Sequence, residues 1–271
     1  MSNTLRPTLA ALVMALGLVR ADVAAAQGAP RIAESDLSPL TMGETFTLRS
    51  DALHETRRIN VYLPASYAES ATSRLPVMYM PDGGMQEDFL HVAGLIQVLV
   101  GNGTMRPFIL VGIENTEWRR DLTGPTERDE DRKIAPRVGG SEPFRRFLRD
   151  ELMPRVKARY RTTDERAIVG ESLAGLFVVE TFLREPTLFD RYIALDPSLW
   201  WNGDQLVKEG AALLATRPPA GKTIVLANSS EPVIAGLTKQ FAALLASTKA
   251  PGFSATYLPM PEETHATIYH P

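Results

Sequence analysis

The chain contains no cysteine. That absence excludes disulfides, thiolate catalysis, iron–sulfur clusters and Cys-ligated zinc. Histidine is scarce too, four in 271 residues, and no His-Glu-x-x-His pair occurs. A metal site is therefore not expected, and neither is a cofactor. Basic excess is missing as well: 29 Lys and Arg stand against 32 Asp and Glu, a formal charge of −3. No surplus remains to neutralise a phosphate backbone, so nucleic acid is not an expected partner. Repeats, low-complexity tracts and Gly/Ser linkers are also lacking. What remains is a globular protein of a length suited to one large α/β domain or two small ones.

Residues 1–26 read as a signal peptide. Arg6 precedes an apolar run from Leu9 to Val19, about half of what a membrane-spanning helix needs. Ala24 and Ala26 then place small residues before a cut at Gln27. The mature chain, 27–271, is expected to be a single domain, periplasmic or secreted from a bacterium, with no membrane span once the signal is removed. Without cysteine, its stability in an oxidising space rests on the core alone.

Short apolar runs alternate with amphipathic stretches along the mature chain. Strands are predicted at 45–48, 58–63, 76–80, 108–112, 167–169, 192–195, 223–227 and 254–258. Helices are predicted at 87–100, 172–183, 205–215 and 234–247, with another where Phe144, Phe147, Leu148, Leu152 and Val156 recur at helical spacing. Such alternation implies a mostly parallel central sheet with helices on both faces. The first two strands would extend one edge as an antiparallel pair. Residues 117–140, polar and rich in Gly and Pro, read as a long surface loop.

Chemistry concentrates where a buried strand, Ala167-Ile168-Val169, runs into Gly170-Glu171-Ser172-Leu173-Ala174-Gly175 and then into a helix. A strand–turn–helix of this kind presents a serine hydroxyl on a tight turn at the carboxyl end of the sheet. Small residues are needed two before and two after the serine, and Gly170 and Ala174 supply them. Ser172 is the expected nucleophile. Only His265 and His270 follow it in the chain, and His265, in a polar loop after the last strand, is the expected general base. The acid is open between two strand ends. Glu231, after Asn228-Ser229-Ser230, is favoured; Asp196, after the preceding strand, competes, and a Ser–His dyad is the third option. The oxyanion hole is expected from the Leu173 N–H, directly after the nucleophile, and from Gly84 in the turn Asp82-Gly83-Gly84.

With these residues in place, the chain resembles the α/β-hydrolases of the enterochelin esterase and esterase D type. The marks are Pro81-Asp82-Gly83-Gly84, the segment from Gly112 to Thr123, the Gly170–Gly175 elbow, Asp196-Pro-Ser-Leu-Trp-Trp-Asn202, and Thr264-His265. The resemblance implies an α/β-hydrolase fold and a serine hydrolase that cleaves carboxylic esters through an acyl-enzyme. A small-molecule ester would be the substrate, a siderophore trilactone among the options. By the same resemblance Ser172 and His265 carry over as nucleophile and base, Glu231 as acid, and Gly84 and Leu173 as oxyanion donors. Arg120 and Trp200 match positions near the cleft and are expected to contact substrate. Their alternatives are structural: an ion pair with Asp121 for Arg120, core packing for Trp200.

The chain departs from the pattern in three places. Glu171 stands where relatives usually carry His, adding negative charge beside the nucleophile and disfavouring anionic substrates. Asp196 stands where serine is common. Relatives also continue past the histidine loop into a closing helix, whereas this chain stops at Pro271. Another subunit of a homo-oligomer would then cover the exposed sheet face, or the sequence is truncated. Rival readings are an acyltransferase using the same residues and a non-catalytic, hydrolase-like binding protein.

Overall fold

Each short apolar run becomes a strand of one sheet in the computed structural model, which describes residues 34–270. The strands are β1 (Gly43–Ser50), β2 (Glu55–Tyr62), β3 (Leu75–Pro81), β4 (Ile109–Ile113), β5 (Thr162–Glu171), β6 (Arg191–Leu195), β7 (Thr223–Asn228) and β8 (Ser254–Pro259). They lie in the order β1-β2-β4-β3-β5-β6-β7-β8. β2 pairs antiparallel with both β1 and β4, and every other neighbouring pair is parallel. This is the sheet expected from the alternation, with the antiparallel pair at one edge. Of the described residues, 42–270 belong to one compact unit. Before it, residues 34–41 contribute a short 3-10 turn, Glu34–Asp36. The signal peptide read at 1–26 lies outside the described residues.

Between the strands run α1 (Ala65–Glu69), α2 (Phe89–Gly101), α3 (Trp118–Asp121), α4 (Asp129–Ile134), α5 (Ser141–Arg146), α6 (Met153–Arg159), α7 (Ser172–Arg184), α8 (Trp201–Thr216) and α9 (Pro232–Ser247). A wider, π-type turn, Phe147–Leu152, joins α5 to α6. The apolar positions from Phe144 to Val156 therefore lie along one helical stretch, as their spacing predicts. Residues 117–140 differ from the expectation of a bare loop, because α3 and α4 sit within them. Both helices are too short to show a periodic signal, and tertiary partners hold them. Asp121, buried, pairs with Arg57. Asp131, also buried, accepts from the Thr126 hydroxyl at 2.6 Å and the Asn202 N–H at 3.0 Å.

Strand alternation divides the core between the two sheet faces. Val77 and Tyr79 of β3 join Ile168, Phe144, Phe177, Phe182 and Phe241 on one side. Met78 and Met80 join Val169, Phe89, Val92 and Ile96 on the other. α7 is buried along its whole length from Leu173 to Leu183, the mark of a helix enclosed by protein. Its one charged interior residue, Glu180, is paired with buried Arg145 at 3.0 Å. No helix follows β8 among the described residues; turns carry the chain to buried Ile268.

One buried ion cluster ties the antiparallel edge to the helical insertion. The Arg57 side chain on β2 is 0% exposed and meets both Asp121 and Glu55. Removing one partner of a buried pair leaves the other charge uncompensated. Arg57→Ala should therefore cost about 3–5 kcal/mol of stability, read as a lower urea midpoint at an unchanged slope.

Candidate active site

β5 ends at the carboxyl edge of the sheet, and the chain turns there into α7 through Ser172. The serine has φ 58°, in the left-handed region that non-glycine residues rarely occupy. The turn is tight enough that a Cβ on Gly170 would lie 2.6 Å from the Ala174 carbonyl carbon. Glycine is thus required at 170, where its lack of a side chain lets the strand and the helix start touch. Leu173 follows at the open N-terminus of α7, where backbone N–H groups have no intrahelical acceptor.

The turn after β8 brings His265 to this edge. Its Nε2 stands 3.1 Å from the Ser172 Oγ, and its Nδ1 stands 2.8 Å from Asp196 Oδ2. Asp196 follows β6, the strand beside β5, and is itself left-handed, with φ 44°. It is fully buried and accepts two further hydrogen bonds, from the Ser229 N–H at 2.6 Å and the Ser229 hydroxyl at 2.5 Å. Burial works to raise its pKa, but the bonds from His265 and Ser229 win and hold the carboxyl below its ordinary value. The Asp196 hydrogen bond raises the pKa of His265, with help from the charges of Glu171, Asp196 and Glu231, against an opposing desolvation.

The carboxylate on the histidine is therefore Asp196, where Glu231 was favoured from the sequence. Glu231 lies one strand further out, as the exposed residue before α9. It bonds neither ring nitrogen and reaches His265 only as a charge at a distance. The two residues that brace the site, Ser229 under Asp196 and Ser198 at 3.4 Å from the Ser172 Oγ, were not read from the sequence. Ser229 lies in the Asn228-Ser229-Ser230 turn already singled out there, so its position offered a hint.

Other expected residues fall differently. The Gly84 N–H already donates to Glu87 Oε2 at 2.7 Å, while Glu87 Oε1 accepts from the Asn115 N–H at 3.2 Å. An acceptor oxygen thus stands on Gly84 before any substrate arrives. Arg120 is held inside the fold. Its Nε donates to Asp121 at 2.6 Å and its Nη2 to Glu55 at 2.8 Å, so the structural alternative describes it rather than substrate contact. Trp200 is half-buried and lines a shallow groove of about 410 Å³ with Pro232, Val233 and Leu237. Glu171, directly before the serine, places Oε1 3.3 Å from His265 Nε2.

The family model described as "Putative esterase" matches residues 50–247. The chain belongs to this family. Among curated esterases, the ferri-bacillibactin esterase of Bacillus subtilis is 29% identical over 58% of this chain and 59% of its own length. A siderophore triacetylfusarinine C esterase of Aspergillus fumigatus is 31% identical over 66% of this chain and 63% of its own. The chain spans about three fifths of the length of these curated relatives. Among solved structures, an IroE-like serine hydrolase of Shewanella oneidensis superposes with a TM-score of 0.74 at 31% identity, covering 84% of this chain and 76% of that one. The fold is accordingly that of the α/β-hydrolases, and this esterase-family member carries its serine, histidine and aspartate at the carboxyl ends of β5, β8 and β6.

Two glycines separate steric need from helix propensity. Gly170→Ala should destabilise the protein by about 1–3 kcal/mol through overpacking of the turn. Gly94→Ala in α2, with nothing within 4 Å of the new methyl, should stabilise it by about 0.5–1 kcal/mol. Denaturant melts of both variants check the contrast in sign.

Proposed function

We propose that this protein is a carboxylic ester hydrolase working through an acyl-enzyme on Ser172. The observation that carries the reading is the continuous chain Ser172 Oγ–His265 Nε2 (3.1 Å) and His265 Nδ1–Asp196 Oδ2 (2.8 Å). His265 takes the serine proton as Oγ attacks the ester carbonyl, then gives that proton to the leaving alcohol. Asp196 fixes the tautomer with Nδ1–H toward itself and steadies the imidazolium. Water, deprotonated by the same histidine, releases the acid and restores the serine. The Leu173 N–H faces the tetrahedral oxyanion. Gly84 supplies the second N–H when the oxyanion displaces the Glu87 oxygen that rests there, and Trp200 forms an apolar wall. The assembled geometry speaks for turnover rather than passive binding.

The substrate class follows from the relatives, whose names record siderophore esters: ferri-bacillibactin in one and triacetylfusarinine C in another. Multiply esterified siderophores are the proposed substrates. The signal peptide read at 1–26 would place the work outside the cytoplasm; among the described residues no helix is long and apolar enough to cross a membrane.

Ser172→Ala should abolish hydrolysis of p-nitrophenyl butyrate and labelling by a fluorophosphonate. Asp196→Asn should lower kcat by about 10⁴-fold, because the histidine then loses the tautomer it needs. Glu231→Gln should stay within a few-fold of the parent, and the reverse ranking of those two would assign the acid to Glu231 after all. The base must be neutral to act, and its pKa is raised above the ordinary histidine value of 6.5. kcat/KM should therefore fall on the acid side of a limb lying above pH 6.5, measured with the neutral butyrate ester.

A further inference from the structure

The mechanism leaves one carboxylate beside the nucleophile without a role. Glu171 is the last residue of β5, and its side chain is 18% exposed. Its Oε1 is shielded from solvent and accepts no hydrogen bond among the described residues, although His265 Nε2 stands 3.3 Å away. The same nitrogen serves the Ser172 hydroxyl at 3.1 Å. A carboxylate so placed projects its charge onto the spot where the ester must sit.

The surroundings add to that charge. Asp88 at the start of α2 and Asp196 after β6 both act on Glu171 as like charges, and among the described residues His265 is the opposing cation. Tyr269, after β8, feels Asp88, Asp82 and Glu171 together. Glu231, before α9, adds its charge at His265. Arg120, the arginine expected near the cleft, is already bound to Glu55 and Asp121. His265 is neutral when it acts as base, so once Glu171 is ionised that imidazolium no longer offsets its charge.

We propose that Glu171 selects substrate by charge, admitting neutral and cationic esters and rejecting anionic ones. The proposal rests on the esterase reading above. For iron chelates it commits to a class: three hydroxamates around ferric iron form a neutral complex, whereas three catecholates form a trianionic one. The preferred substrates are then neutral hydroxamate-type chelate esters, or catecholate esters without their iron. Burial first, then the charges of Asp88 and Asp196, raise the Glu171 carboxyl to about 7, against the pull of His265. Discrimination should accordingly strengthen as pH rises through that value and the carboxylate ionises.

The test compares three p-nitrophenyl esters of similar size: butyrate, hemisuccinate and 4-(trimethylammonio)butyrate. At a pH above the Glu171 value, where the carboxylate is ionised, the parent enzyme should favour the cationic over the anionic ester in kcat/KM by roughly tenfold or more, as expected for unit charges a few ångströms apart near a surface. Glu171→Gln should shrink that ratio by about the same factor. It should also move the acid limb of kcat/KM to lower pH, because the imidazolium loses a neighbouring anion. Glu171→Asp should retain the ratio. Glu165→Gln, removing a charge at the far end of the same strand, should leave it unchanged. An iron-free catecholate trilactone should be cleaved faster than its ferric complex, and the gap should narrow in Glu171→Gln. No charge preference in the parent overturns the proposal even if Glu171→Gln does not fold, and so does an unaltered ratio in a folded Glu171→Gln. Failure to cleave even the neutral butyrate would instead overturn the esterase reading.

Discussion

Strand β5 can turn into α7 at Ser172 because Gly170 has no side chain. The left-handed serine swings the backbone back over the strand end, and Ala174 comes to rest where a Cβ on residue 170 would be. This close approach has three consequences. It lifts the hydroxyl clear of the sheet edge, it leaves the Leu173 N–H at an open helix start, and it points the Glu171 side chain toward the same histidine that serves the serine. The enclosed helix behind the turn, packed against β5 and β6, keeps the strained residue from relaxing.

The second constraint is electrostatic. His265 is anchored by a buried aspartate whose remaining capacity is filled by Ser229. Those bonds keep Asp196 ionised despite its burial, and an ionised Asp196 keeps His265 oriented with Nε2 toward the serine. The pair also links stability to pH in opposite senses. The Asp196 contribution is present above the ordinary carboxyl pKa and is lost as pH falls through the lowered value. The His265 contribution is present below the ordinary histidine pKa and is lost as pH rises through the raised one. Glu171 and its acidic neighbours set a net negative environment around this machinery. A fold shared with other hydrolases thereby acquires a charge preference through a single residue next to the nucleophile.

Much of the fold was legible because its signals are local. The central strands β3 and β4 and the inner ends of β2, β5, β6 and β7 are short apolar runs, and each of the longer helices shows apolar spacing over three or more turns. The elbow was legible for a similar reason, since its steric demand falls on residues adjacent in sequence. α3 and α4 were not, because their own buried carboxylates are held by distant partners, Asp121 by Arg57 and Asp131 by the Asn202 N–H. The short helices carry no pattern of their own.

The sequence by itself determined which groups are available: a serine on a strand-to-helix turn, two histidines downstream of it, and no thiol to compete as nucleophile. It left two carboxylates at two strand ends, chemically equivalent on paper. Only the tertiary structure decided between them, because β6 lies against the nucleophile strand while β7 lies one strand further away. Asp196, turned inward by its left-handed backbone, reaches the Nδ1 of His265, and Glu231 faces solvent. Similarly, the sequence left Arg120 between substrate contact and an ion pair with Asp121, and in the fold it is paired with Asp121 and Glu55. Position along the chain states which groups exist, and packing states which of them can meet.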